Sequence, residues 1–290
     1  MKLYYYQHDG YLNFGDDLNV WLWQRLLPGM LDDDPTVTLV GIGTLLNDQL
    51  NAVTPGAEVR LIFSTGVGYF GAPKIDATYR VYCVRGPLSA EAAGLPAEAA
   101  VADGALLLRR LYRPEPRPKK YKMAFMPHID AIADEGWARA CEEAGIGFID
   151  PRWPTETVLE RLCEIEVLLA EAMHGAIVAD TLRIPWVAVT TASHILPFKW
   201  TDWCRSVNLE YKPIRLTAQV NPRKETDILT PVRQVRYWAL RRSVVGQLVG
   251  LAKNLRPTLS ADRDIERRTE QLEERLELLK DDIRAGRLTA

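Results

Sequence analysis

Short apolar runs that end in a polar or glycine turn and lead into helical patterns recur along this chain as far as residue 190. That recurrence restricts the chain to folds built from βα units around a parallel sheet. Lys2–Gln7 (KLYYYQ) is β-rich, and Asp16–Leu27 follows with acids at its start, apolar residues at helical spacing and a Pro28–Gly29 stop. Thr36–Gly43 (TVTLVGIG) and Glu58–Thr65 (EVRLIFST, then Gly66-Val67-Gly68) are buried-strand runs, and Tyr79–Val84 leads into Arg85-Gly86-Pro87.

Arg113–Lys120 (RPEPRPKK) breaks the pattern with prolines and basic residues, as a linker does. The pattern then restarts. Strands are expected at Tyr121–Met126, Ile146–Ile149, Glu166–Ala170 and Trp186–Thr190, with helices at Asp134–Ala144, Thr155–Ile165 and Gly175–Arg183. The expected organisation is an α/β domain over 1–115, a second over 119–225 and a helical tail over 226–290. Two such domains leave a cleft, and open α/β sheets bind ligands beyond the carboxyl ends of their strands.

The composition narrows the chemistry. The 290 residues carry a formal net charge of -2, which gives no global basic field for nucleic acid. The four cysteines form no CxxC pair and sit in apolar or mixed segments, which argues against zinc and disulfide frameworks and for a reducing compartment. MKLYYYQHDG lacks the apolar core of a signal peptide, and no run of about 18 apolar residues occurs, so a cytoplasmic protein is expected.

Several turns carry candidate chemistry. Asn13-Phe14-Gly15-Asp16 opens a helix, where a glycine lets the backbone approach a ligand and free N–H groups favour an anion; an ordinary turn capped by Asp16 or Asn13 is the simpler reading of these residues alone. The glycine turns at 41–44 and 66–68 lack the third glycine and the acid of a dinucleotide site, so NAD is not implied. Arg85 ends a strand, and its planar fork suits a carboxylate or phosphate, or a surface ion pair. His174, before Gly175, sits where a strand meets a helix N-terminus and can contact a phosphate and pass a proton, or simply cap the helix. His8, His128 and His194 also lie near strand ends, and His128 is the second candidate. In Lys199-Trp200-Thr201-Asp202-Trp203 a phosphate-binding lysine adjoins an aromatic that suits a sugar face, although at least one tryptophan is expected in the core. Asp32–Asp34 reads as a solvated charge run, and no metal is expected.

Taken together, NFGDDLN (13–19), GIGT (41–44), STGVG (64–68), VRGPLS (84–89), ADGALL (102–107), MPH (126–128), AMHGAIVADTLRIPWVAV (172–189) and KWTDW (199–203) resemble the polysaccharide pyruvyltransferase family, in its exopolysaccharide, succinoglycan-type branch. The resemblance covers about residues 1–210 and leaves out the tail after 225. It implies two Rossmann-like domains in a glycosyltransferase-B-like arrangement, and transfer from phosphoenolpyruvate, a co-substrate rather than a cofactor, to a sugar acceptor as a ketal. It maps donor binding onto Arg85, His174 and Lys199, with His174 as the acid and Asp16 as the acceptor-side base. Asn13, Gly15, His128, Gly175 and Trp200 complete the expected substrate contacts. Relatives often have Arg-Leu-His where this chain has Ala172-Met173-His174, so a positive charge is missing there. A nucleotide-sugar glycosyltransferase of the same fold is the alternative enzyme.

The tail suggests a third role, membrane-associated assembly. Residues 231–257 carry Arg233, Arg236, Arg241, Arg242, Lys253 and Arg256 and no acid, beside Trp238 and aliphatic residues. Such a helix suits an anionic membrane surface, which would place the protein at the inner face of the plasma membrane. Residues 262–283 carry an apolar stripe, Ile265, Leu272, Leu276, Leu279 and Ile283, suited to pairing with a second chain or docking on its own body.

Overall fold

A computed structural model describes residues 1–132, 136–192, 195–217 and 230–288, without the side chains of 230–234 and 236. The expectations at His194 and at the Arg233 and Arg236 side chains fall outside the described residues.

The chain forms two compact α/β units, each around a parallel sheet. Unit 1 begins with β1 (Lys2–Tyr4), α1 (Phe14–Leu26), β2 (Val37–Val40), α2 (Leu50–Val53), β3 (Val59–Phe63), β4 (Tyr79–Cys83), α3 (Pro87–Ala92) and α4 (Leu108–Leu111). Its strands pair in the order β1-β2-β3-β4, all parallel. Unit 2 contains β5 (Tyr121–Met126), α5 (Gly136–Ala144), β6 (Gly147–Phe148), α6 (Thr155–Cys163), β7 (Ile165–Ala170), α7 (Met173–Thr181) and β8 (Trp186–Thr190). Its sheet runs β6-β5-β7-β8-β9, again parallel, with β9 at Ile214–Arg215. In unit 1, Tyr4 aligns with Val40 and Val40 with Ile62; in unit 2, Met126 aligns with Ala170 and Ala170 with Ala188. The loops that follow these strands therefore gather at one edge of each sheet, where ligands bind in such folds.

The units meet in sequence at residues 113 and 114, inside the proline-rich stretch. Their later boundaries differ from the expected 119–225 and 226–290. The segment 196–211, with α8 (Pro197–Ser206), returns to unit 1; 212–259, with α9 (Thr230–Asn254), belongs to unit 2; and 260–290, with α10 (Asp262–Arg284), closes on unit 1. Apolar burial explains this interleaving. Val244 and Leu248 of α9 join Trp137, Ala140 and Cys141 of α5 and Phe125 of β5 in the core of unit 2. On α10, Ile265, Leu272, Leu276 and Leu279 are buried, and the helix packs on residues 104–107 and β4. Tyr82 donates to Asp282 at 2.7 Å, and Arg109 donates to Glu266 at 3.0 Å. Of the two expectations for this stripe, a second chain or its own body, the structure shows the second: its own unit covers Ile265, Leu272, Leu276 and Leu279.

All four cysteines are buried and none is in a disulfide, and burial pushes the Cys83 and Cys141 thiols up to about 12, so neither is a nucleophile near neutral pH. Among the described residues no helix is long and apolar enough to cross a membrane, and no group of His, Cys, Asp and Glu has metal-holding geometry. Asp32 and Asp34 instead accept from the Met1 amino group and from Thr36.

Candidate active site

In unit 1 the sheet-edge loops are tied by one buried ion pair. Arg85 is fully buried and donates from Nε to Asp202 at 3.1 Å, from Nη1 to the Gly43 carbonyl and Thr44 Oγ1 at 3.2 and 3.0 Å, and from Nη2 to the Val67 carbonyl at 3.0 Å. Asp202, equally buried, accepts from the backbone of Leu88 and Ser89 and from Ser89 Oγ. This one network joins the loops after β2, β3 and β4 to α8. A Cβ at Gly66 would overlap the Arg85 guanidinium, so the glycine turn admits a side chain rather than cradling an anion. The fork of Arg85, expected at the donor, is here engaged by its own loops and by Asp202.

Lys199, in the first turn of α8, is 8% exposed; its Nζ donates to Tyr69 Oη at 3.2 Å and lies 5.3 Å from the Tyr69 ring centre. Trp200 is not a sugar platform. It is fully buried, stacked on Tyr211 at 5.1 Å, because Trp200, Trp203 and Cys204 share the inward face of α8.

At the end of β1, Asn13 holds the cap position of α1 with extended backbone, yet its side chain makes no cap hydrogen bond. Its Nδ2 donates to Asp16 Oδ2 at 2.6 Å, and His8 Nε2 lies 3.1 Å from the same oxygen. Asp17 takes over the capping by accepting from the Asn13 backbone N–H, and burial raises its carboxyl above the usual range. Gly15 is buried in the first turn. Asp16 is thus half of a His–Asp pair that reading the motif alone missed.

In unit 2 the edge is organised by Glu171, also fully buried. It accepts from the His128 backbone N–H at 3.0 Å and from the Thr191 N–H and Oγ1 at 2.5 and 2.7 Å, which ties together the loops after β5, β7 and β8. His128 caps a short turn, its Nδ1 accepting from the Asp130 N–H at 3.3 Å. His174 is partly exposed in the first turn of α7, three residues after Glu171. Gly175 is buried, and a Cβ there would strike Met126 Sδ. The arrangement offers imidazoles beside a helix N-terminus, where an anion is favoured. Glu171 had a signal in sequence, an acid directly after an apolar strand; nothing local tied Asp202 to an arginine more than a hundred residues away.

No protein-family model matches the chain. The chain is 37% identical over 242 residues, 83% of its length, to the "Succinoglycan biosynthesis protein ExoV" of Rhizobium meliloti (strain 1021), covering 73% of that protein. A match of 242 residues cannot fit within the first 225, so the similarity reaches into the tail that the motifs left out.

Proposed function

We propose, from the premise that this chain belongs to the succinoglycan-type exopolysaccharide branch of the polysaccharide pyruvyltransferase family, that it transfers the pyruvyl group of phosphoenolpyruvate to a sugar of an exopolysaccharide or its lipid-linked precursor. The similarity to a protein named for succinoglycan biosynthesis, over most of both chains, carries this reading. The family reading includes a glycosyltransferase-B-like pairing of the two units and no cofactor.

The donor is an enol ether bearing a carboxylate and a phosphate, and a small polyanion needs fixed positive potential. In the proposal Lys199 and the α7 N-terminus supply it, and His174 protonates the vinyl carbon. Two sugar hydroxyls then add to the former enol carbon, and its bond to phosphate oxygen breaks. One hydroxyl proton is balanced by the proton gained at the methyl carbon, and the other leaves with inorganic phosphate. Arg85 acts through Asp202 by holding the loops in place.

The expected result is a rise in melting temperature with phosphoenolpyruvate and none with nucleotide sugars. Phosphate should be released once oligosaccharides from de-pyruvylated succinoglycan are added. Stabilisation by a nucleotide sugar instead would turn the assignment to a glycosyltransferase.

The proposal extends to the inner membrane face. Val235 and Trp238 of α9 are 67% and 58% exposed, and Arg242 lies 4.7 Å from the Trp238 ring centre. Exposed aromatic and basic groups side by side suit a headgroup layer. The protein should float with anionic vesicles at low salt and lose this with Trp238→Ala and Arg242→Ala; wild-type protein left at the bottom of the gradient ends the idea.

A further inference from the structure

The His8–Asp16 pair lies at one end of an aromatic surface that the mechanism above leaves unused. The His8 ring contacts Tyr6 edge-on at 4.8 Å between centres and lies against Tyr11 at 4.7 Å with a 30° tilt. Both tyrosines face outward, at 54% and 47% exposure. From Tyr6 a groove of about 440 Å³ runs on, lined by Tyr4, Tyr5, Gln7, Thr38 and Pro55 among others. That volume lies within the range of small-molecule sites. Burial, and then the proximity of Tyr6 and Asp16, raise the Tyr4 phenol above its ordinary value.

Three features point to one class of ligand. Outward tyrosines beside polar groups match a sugar, which presents an apolar C–H face and a rim of hydroxyls. The groove is lined by Tyr6, and the Tyr6 ring contacts the His8 imidazole, which puts a base beside it. The Asn13 side chain, at the helix cap, makes no cap hydrogen bond and instead donates to the carboxylate beside that base.

We propose that this surface is the acceptor site: Tyr6 and Tyr11 stack on sugar rings of an oligosaccharide lying in the groove, and His8 takes the proton from the hydroxyl that attacks the pyruvyl carbon. The catalytic step rests on the pyruvyl-transfer reading; the sugar site does not. His8 Nε2 lies 3.1 Å from Asp16 Oδ2 and 3.3 Å from Asn13 Nδ2; in the tautomer that the proposal uses, Nε2–H donates to Asp16 and the basic lone pair is on Nδ1. As the sugar oxygen bonds the former enol carbon, its proton passes to Nδ1, and Asp16 stabilises the imidazolium. The proton then leaves with the phosphate released when the carbon–oxygen bond to the donor breaks. Asp16 is a positioning residue in this scheme, and Asn13 orients it.

Two experiments test the proposal separately from the donor chemistry. Calorimetry without phosphoenolpyruvate, using the de-pyruvylated oligosaccharides, should show binding that Tyr6→Ala and Tyr11→Ala each weaken about tenfold. Failure of the wild type to bind them, or equal binding by both variants, overturns the site. In the transfer assay His8→Gly should lose about a hundredfold in kcat, within the range for a general base, with phosphoenolpyruvate stabilisation unchanged. Added imidazole should restore at least part of the rate, which a merely structural histidine would not allow. Activity within threefold of wild type, or a loss that imidazole leaves untouched, removes His8 as the base. If the wild type neither binds phosphoenolpyruvate nor releases phosphate, the pyruvyl-transfer reading fails, and the calorimetry still decides the sugar site.

Discussion

Arg85→Ala is expected to cost about 3–5 kcal/mol of folding stability, the usual range when one partner of a buried ion pair is removed. The loss has several sources. Asp202 stays fully buried with its counter-charge gone, and the Gly43 and Val67 carbonyls and the Thr44 hydroxyl lose a donor. The guanidinium volume over Gly66 becomes a hole. Arg85→Lys should recover only part, because one ammonium cannot span the positions that the planar fork reaches. The double variant Arg85→Met, Asp202→Leu should be more stable than Arg85→Ala, since an apolar pair removes the stranded charge, although the Leu88 and Ser89 amides lose their acceptor. Urea unfolding of the four proteins measures this. If Arg85→Ala unfolds within about 1 kcal/mol of wild type yet no longer responds to phosphoenolpyruvate, the arginine belongs to the donor after all.

His174→Gln is expected to act in the opposite manner, with little change in stability and a fall in transfer of about 10²–10³-fold. The residue is partly exposed in the first turn of α7 while its Nε2 is buried, and glutamine keeps a polar group of similar reach there. Its expected contribution is proton delivery, which glutamine cannot make. Glu171→Gln provides the comparison. It should lower both stability and rate, because Glu171 is buried and accepts from three donors on two other loops. Phosphate-release rates and melting temperatures for each variant distinguish the two patterns. Near wild-type turnover in His174→Gln would move the acid to His128.

The α/β class and most element positions are determined by the sequence itself, because burial of short apolar runs and helical spacing are local signals. Tyr121–Met126 and Trp186–Thr190 are strands with the expected bounds, and Asp262–Arg284 is a helix one residue longer than its stripe predicted. The motifs also marked the loops that gather at the sheet edges. Only the tertiary structure decided what those residues face. Arg85 and Asp202 are 117 residues apart, and a charge on a strand end looks the same in sequence whether a ligand or an aspartate meets it. Trp200 and the α10 stripe turned inward because each helix found an apolar surface on unit 1, and α9 found its own on α5, which no periodicity names. His8 was one histidine among four until folding placed Asp16 at its ring nitrogen and tyrosines on either side. Periodicity is written within a few turns of chain; the partner of a buried charge is settled by loops that meet only after the sheet has formed.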